Sequence, residues 1–198
     1  MNNILFKPWE GHNFGKSELG RLLIIGDSHY FLNDEDESVY PNWTQDIISD
    51  LESTNFKIFK NIGEIFYPNN HLELWSKVAF ANAIQSAFRS SDQKPTEDDF
   101  KTVEPAIQEY LKMIKPDKII VFSKRVWEEG LKNDIDWGEY VDSINDEEYG
   151  KKSTVWKFNY EGGFCHGIGV NHPSSRGFSP AQWNPLITKF LENNYSNY

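Results

Sequence analysis

The chain has 198 residues, of which 38% are hydrophobic and 25% charged, and its formal net charge is −10 at pH 7. The length suits one well-buried domain over residues 1–198 and is too short for two ordinary domains. The acidic balance argues against broad electrostatic attachment to nucleic acid, which needs lysine and arginine to neutralise phosphates, but it leaves room for a local basic strip.

The cysteine content and the hydropathy pattern bear on where the protein works. The single cysteine, Cys165, rules out an internal disulfide and favours a reducing compartment. The segment "MNNILFKPWEG" lacks the basic start and long apolar run of a secretory signal, and no apolar stretch approaches the length of a membrane span. We therefore expect a cytoplasmic protein without a membrane partner; the sequence does not predict its oligomeric state.

The first half of the chain alternates predicted strands and helices. "RLLIIG" (21–26) is a continuous apolar run ending in glycine, as expected of a strand buried on both faces. A helix is predicted over 43–53 and a weaker strand over 77–83. Residues 96–114 repeat apolar side chains at helical spacing, and Pro105 should kink this helix or divide it in two.

The second half continues the alternation. "DKIIVFS" (117–123) predicts another buried strand, and residues 124–131 predict a short helix directly after it. "GFCHGIGVNH" (163–172) is small and apolar and predicts a further strand, while 153–160 should pair before it as a hairpin or edge strand.

The last predicted helix has two possible starts, Ser179-Pro180 and Asn184-Pro185. Each places a capping side chain before a proline at the first helical position. Strands separated by helices predict an α/β fold, a three-layer α/β/α sandwich with a short, mostly parallel central sheet. Ligands of such folds bind at the carboxyl ends of the strands, which here selects the loops after Ile25 and Val170 and the segment around Asn82.

The first of these loops is Gly26-Asp27-Ser28-His29-Tyr30. It is either a polar turn in which Asp27 or Ser28 caps the following segment, or part of a site. Its Gly-Asp-Ser run resembles the GDSL-type esterases, in which Ser28 would be the nucleophile. That family also has an Asp-x-x-His pair near the C-terminus, whereas His166 and His172 each follow a glycine at that spacing, so the triad is incomplete.

The loop after Val170 reads "VNHPSSRGFSPAQW". It is either a turn that leads into the last helix, with its histidine bonded to a carbonyl, or an anion-binding loop. The second interpretation rests on a density of side chains that bind anions or stack on flat ligands: His172, Ser174, Ser175, Arg176 and Phe178.

Three stretches, "GDSHY" (26–30), "VAFANA" (78–83) and "HPSSRGFS" (172–179), occur in one order along the chain. In that order they resemble the uracil-DNA glycosylase superfamily. That family has a Gly-x-Asp-Pro-Tyr type motif after its first strand, an asparagine ending a central strand, and a His-Pro-Ser motif before its C-terminal helix. Residues 115–127 resemble the family's third strand, so the resemblance covers residues 21–191.

The resemblance implies roles by position. Gly26 and Tyr30 match the first motif, and Tyr30 would wall one edge of a base pocket. Asn82 would read the edge of the base, and His172 would donate a hydrogen bond to the departing base. Ser174 would hold a backbone phosphate. A stacking aromatic is expected after the first motif, and either Phe31 or Tyr40 could supply it.

The chain departs from the family at three positions, one of which is His29, where the family usually has proline. Ser28 stands where the water-activating carboxylate is expected, so Asp27 or His29 would have to take that task. Arg176 stands at the position of the wedge that fills the base stack, so Phe178 would have to serve there.

These observations predict a divergent uracil-DNA glycosylase-like protein that binds a flipped nucleobase and hydrolyses its N-glycosidic bond in DNA. The alternatives are a non-catalytic member of the same fold that binds nucleotide or nucleic acid, and a serine esterase that uses Ser28. The partner would be DNA, a nucleotide or a nucleobase. The histidines lack metal-ligand spacing, and we predict neither a metal ion nor another cofactor.

Overall fold

The computed structural model describes residues 3–31, 38–90, 92–131 and 136–195. Its strands are β1 (Trp9–Glu10), β2 (Leu22–Gly26), β3 (His29–Tyr30), β4 (Ala79–Asn82), β5 (Ala87–Phe88), β6 (Lys118–Val121), β7 (Gly138–Asn145), β8 (Lys152–Tyr160) and β9 (Gly163–Gly169). Its α-helices are α1 (Trp43–Ser49), α2 (Lys57–Phe66), α3 (Glu97–Phe100), α4 (Val103–Ile114) and α5 (Pro180–Glu192). A 3-10 helix spans His71–Ser76, and a π-helical turn spans Val126–Gly130.

Within the described residues, seven strands form one sheet in the order β1-β4-β2-β6-β9-β8-β7. The four central strands, β4, β2, β6 and β9, are parallel to one another. β1 at one edge, and β8 and β7 at the other, run antiparallel to their neighbours. The predicted α/β fold with a mostly parallel sheet is confirmed, although antiparallel strands make the sheet wider than expected.

Helices cover the sheet on both faces. The central strand β2 is apolar at every position, so it packs against the helices on both sides. Leu23 and Ile25 pack in a core cluster with residues of α4, whereas Leu22 and Ile24 pack in a second cluster with residues of α2 and α5. Successive side chains of a strand point to opposite faces, so an uninterrupted apolar run serves two cores at once. The helices on each side complete the predicted three layers.

The structure can be compared with the predicted helices and the predicted hairpin. The 96–114 segment is divided as predicted, but the break lies before Val103, and Pro105 falls in the first turn of α4, where the missing N–H has no partner to lose. β8 and β9 form the predicted hairpin. Of the two starts for the last helix, the structure has Ser179-Pro180, and Asn184 Nδ2 instead donates to the carbonyl of Ile65 (2.7 Å).

The parallel strands end at nearly the same level. Gly26 of β2 is paired with Asn82 of β4, and Val121 of β6 is paired with Gly169 of β9. The polar segments that follow these four strands therefore meet at one edge of the sheet. In the part of the chain that the structure describes, no helix is both long enough and apolar enough to cross a membrane.

Candidate functional site

A cleft of about 740 Å³ opens at the carboxyl ends of the parallel strands. The polar residues that line it come from all four strand ends: Asp27, Ser28, Asn82, Ser123, Arg125 and His172. Aromatic and aliphatic residues line it as well: Tyr30, Ile47, Phe56, Ile58, Phe59 and Phe80. The cleft therefore combines an apolar lining with a small set of polar groups, as expected of a small-molecule site.

Most of the predicted site residues meet in this cleft. They are Asp27, Ser28, His29, Tyr30, Asn82, His172, Ser174 and Ser175. Among the described residues, Gly26, Arg176 and Phe178 do not line it. Gly26 is covered by the side chains of Asn82 and Phe80. Arg176 is exposed, and the ring of Phe178 stacks on Trp183 with centroids 6.3 Å apart.

Asn82 ends β4 with its side chain packed over Gly26. A Cβ atom on Gly26 would lie 2.3 Å from Asn82 Oδ1 and 2.8 Å from Phe80 Cζ, so only glycine fits beside the amide. Asn82 is 4% exposed, and no protein group within the described ranges hydrogen-bonds its side-chain amide. Because an amide offers both donors and an acceptor, Asn82 is available to bind the polar edge of a ligand.

Asp27 is a buried anion whose oxygens are already occupied. Arg125 donates from Nη2 to Oδ1 (2.5 Å) and from Nε to Oδ2 (2.8 Å). The hydroxyls of Ser123 (2.5 Å) and Ser28 (3.2 Å) complete four bonds, which matches the number of lone pairs that a carboxylate has. Burial raises the pKa of Asp27, but the bonds from Arg125 and Ser123 outweigh burial, so the pKa lies below its usual value.

His29 lies in an aromatic cage. Its ring stacks on Trp43 at 5.1 Å and meets the edge of Phe6 at 4.3 Å, and its Nε2 is 2.9 Å from Thr44 Oγ1. Burial lowers the pKa of His29 to about 4. Although His29 borders the cleft, its Nε2 is bonded to Thr44, which makes it a poor candidate for activating a water molecule in this conformation.

His172 is held as a neutral imidazole with a defined tautomer. The backbone N–H of Ser174 donates to His172 Nδ1 (3.2 Å), so Nδ1 is unprotonated and Nε2 carries the hydrogen. Burial, with Arg125 nearby, lowers the pKa of His172, and the opposite effect of Asp27 does not cancel this. Asn61 of α2 donates to the carbonyl of Pro173 (2.7 Å), which ties the loop down. Among the described residues the His172 ring is bonded only at Nδ1, so its Nε2–H is available to a ligand.

Ser123 and Arg125 line the cleft and bond to Asp27, and sequence reasoning missed both of them. A signal was present, because "SKR" follows the buried strand β6 at the edge where the other site residues were sought. Of the two expected stacking aromatics, Phe31 and Tyr40 both lie against Trp43, with ring centroids 5.2 and 5.9 Å apart, and neither lines the cleft. The aromatic residues that line the cleft are Tyr30, Phe56, Phe59 and Phe80. Which ring would stack on a base stays a prediction.

The esterase hypothesis requires a base beside Ser28. The hydroxyl of Ser28 donates to Asp27 Oδ1, and within the described ranges no imidazole is hydrogen-bonded to it. A serine nucleophile needs a base within hydrogen-bond reach, itself oriented by a third group. The cleft does not present that arrangement.

Comparison with models of known protein families gave no match, and comparison with curated proteins gave none either. Among the described residues, no group of three or more His, Cys, Asp or Glu side chains could hold a metal ion. The geometry of the cleft is therefore the basis for a functional proposal.

Proposed function

We propose that this chain is a divergent uracil-DNA glycosylase-like protein that binds a flipped nucleobase in the cleft and hydrolyses its N-glycosidic bond in DNA. One observation carries the proposal. The unbonded amide of Asn82 and the Nε2–H of His172 border the same cleft, which aromatic side chains also line. The resemblance carried by the three sequence motifs implies these same two residues for binding of the base. Its cytoplasmic location stays a prediction from the cysteine content.

A nucleobase has two flat apolar faces and a polar edge, and the cleft offers a surface for each. The ring of Phe56, which is half-buried at the lining of the cleft, would contact a face, and Tyr30 would close one side. The amide of Asn82 would pair with a donor and an acceptor on the polar edge. A base that fails to pair leaves a buried amide unsatisfied, which costs about 1–3 kcal/mol and would provide selectivity.

Hydrolysis breaks the bond between the sugar C1′ and the base nitrogen, and the electron pair leaves with the base. The Nε2–H of His172 would donate to a base oxygen and stabilise the negative charge that develops there. The sugar becomes positively charged and adds water at C1′; the proton that this water loses passes to solvent, and the departing base takes one up from solvent. Asp27 is ionised and would stabilise the sugar cation electrostatically. Water activation by Asp27 or His29 stays a prediction.

A non-catalytic binding protein is the second candidate. Two observations favour it: Ser28 occupies the position of the expected carboxylate, and the four bonds to Asp27 leave no lone pair free to accept a proton from water. In this case the cleft would bind a nucleotide or nucleic acid without releasing the base.

Base release separates the two candidates. The protein, in excess, is incubated with single- and double-stranded oligonucleotides that contain uracil, hypoxanthine or xanthine, and abasic sites are then cleaved with alkali. The proposal predicts strand scission that is lost in His172→Asn and kept in His12→Asn, a control at an exposed histidine. Binding without scission would assign the second candidate. If the protein neither binds nor cleaves any of these substrates, both candidates are wrong.

A further inference from the structure

Gln85 lies in the turn that follows β4, shortly after Asn82, and its side-chain amide is hydrogen-bonded at both ends. Nε2 donates to the carbonyls of Asn82 (3.0 Å) and Ala83 (3.2 Å). Oε1 accepts from the backbone N–H groups of Leu5 (2.8 Å) and Phe6 (3.4 Å). Because carbonyls only accept and backbone N–H groups only donate, this orientation of the amide is the one that satisfies all four groups.

The backbone around Asn82 is held from two sides. The N–H of Ala83 donates to the carbonyl of Gly26 (3.2 Å). The N–H of Ile84 donates to the carbonyl of Asp27 (2.9 Å). These two bonds fasten the turn to the loop after β2, while the glutamine amide holds the carbonyls of the same turn. Together they fix the peptide planes that carry the Asn82 side chain.

Asn82 depends on this backbone because its side-chain amide has no hydrogen bond of its own. Within the described ranges no protein group bonds to that amide, which packs over Gly26. The direction of the amide is therefore set by the backbone at the end of β4 and by packing. Hydrogen bonds weaken steeply as the angle at the hydrogen closes, so rotation of the peptide after Asn82 would turn the amide away from the edge of a base.

The acceptor end of the Gln85 amide holds the N-terminal segment. Tyr110 Oη donates to the carbonyl of Phe6 (2.9 Å) and accepts from Gln85 Nε2 (3.1 Å), so these two side chains bind Phe6 between the turn and α4. Phe6 is completely buried, and its ring meets that of His29 at 4.3 Å. Gln85 therefore has two separable contacts: it anchors this segment through Oε1, and it holds the Asn82 carbonyl through Nε2.

We propose that Gln85 is a positioning residue that aims the Asn82 amide at the polar edge of the bound base. This inference rests on the proposed function of the cleft. Gln85 is not among the described residues that line the cleft, so it acts through Asn82 rather than by touching the ligand. Positioning requires the donor end of the Gln85 amide, whereas anchoring of the N-terminal segment requires the acceptor end.

Two variants separate the two ends of the amide. Gln85→Glu keeps an oxygen for the N–H groups of Leu5 and Phe6 but replaces the donor with a carboxylate oxygen, which repels the carbonyl of Asn82. Gln85→Lys does the reverse, because an ammonium group donates and cannot accept. Gln85 is half-buried, so either charge stays partly solvated. Tyr110→Phe is the matched control, since it removes the bond to the Phe6 carbonyl and leaves Gln85 bonded to the turn.

The assay measures how strongly the protein prefers a polar base to an apolar ring of similar shape. Kd is measured by fluorescence anisotropy for single-stranded oligonucleotides with one central uracil, hypoxanthine or xanthine on a 2′-fluorinated sugar, which resists cleavage of the glycosidic bond. The reference strands carry difluorobenzene in place of uracil, or indole in place of the purines. A general loosening of the cleft weakens binding of both strands, whereas a misdirected Asn82 amide weakens binding of the polar base alone.

For the base that the wild-type protein binds most tightly, we expect a preference over the reference strand of about tenfold, because the apolar ring leaves the Asn82 amide unsatisfied. Gln85→Glu should remove this preference by raising the Kd of the polar strand alone, and Gln85→Lys and Tyr110→Phe should keep it. If circular dichroism shows that Gln85→Glu does not fold, Gln85→Met replaces it with the same expected loss, since a thioether does not donate. The inference is overturned if the preference survives loss of the donor. It is also overturned if Gln85→Lys or Tyr110→Phe abolishes the preference as completely.

The variant Asn82→Ala separates failure of this inference from failure of the proposed function. If the wild-type protein prefers the polar strand and Asn82→Ala removes that preference, the cleft keeps its assignment whatever the result at Gln85. If the wild-type protein prefers none of the polar bases to its reference, or if Asn82→Ala keeps the full preference, Asn82 does not bind the base and both proposals are wrong.

Discussion

The aromatic cage of His29 makes the protein sensitive to acid. His29 is 3% exposed between Phe6 and Trp43, and its pKa falls from 6.5 to about 4. As the pH drops, the unfolded chain takes up this proton before the folded chain does. The associated stability is therefore complete above pH 6.5 and is lost progressively as the pH falls to about 4. Since one pKa unit corresponds to about 1.4 kcal/mol, the loss is roughly 3 kcal/mol.

Urea denaturation across this pH range, for the wild-type protein and for His29→Gln, measures the effect. The pKa values of His166 and His172 are also lowered by burial, but both groups are present in both proteins and cancel in the difference. The free energy of unfolding should fall more steeply with acid in the wild type. The imidazole resonances of His29 should titrate near pH 4. Equal acid dependence in the two proteins, or titration of His29 near its ordinary value, would refute the reasoning and return His29 as a base candidate.

Three further changes probe the cleft. Replacing Arg125 (Arg125→Met) should raise the pKa of Asp27 and destabilise the fold by about 1–3 kcal/mol at neutral pH. This is less than the usual cost of breaking a buried ion pair because the guanidinium is partly exposed to solvent. The loss should shrink in acid, where the carboxyl is protonated, and urea denaturation at both pH values checks it. The change Gly26→Ala places a methyl group against Asn82, which should cost about 1–3 kcal/mol and abolish binding of a uracil-containing strand in anisotropy measurements. A fluorophosphonate probe should not label Ser28; labelling seen by mass spectrometry and lost in Ser28→Ala would reinstate the esterase hypothesis.

The buried strands could be predicted from the sequence because their apolar runs serve two cores. β7 could not, since it is an edge strand in which Ile144 is the one buried residue, and it lacks the alternation that marks a half-buried strand. α2 has apolar residues at helical spacing, but Gly63 interrupts them. The reason for Gly63 is tertiary: a Cβ atom there would lie 2.2 Å from the carbonyl oxygen of His71.

The location of the cleft could also be predicted, because parallel strands gather their following loops at one edge. The bonding within it could not. Arg125 lies 98 residues from Asp27 in the sequence, and nothing in either local pattern shows that they pair. The sequence likewise offered Asp27 and His29 as equivalent bases. Only the packing of Trp43 and Thr44 against His29 distinguishes a caged imidazole from a carboxylate that faces the cleft.

The Asp27–Arg125 pair sets a permanent dipole in the lining of the cleft. The Asp27 side chain is 3% exposed and forms the inner, negative end, whereas the Arg125 side chain is 35% exposed and forms the outer, positive end. A nucleotide seated base-first would place its phosphate near the outer end and its sugar closer to the inner one. The field of the pair would attract the phosphate to the outer end and would favour positive charge on the sugar at the inner end. A single ion pair would therefore both orient the ligand and polarise its glycosidic bond.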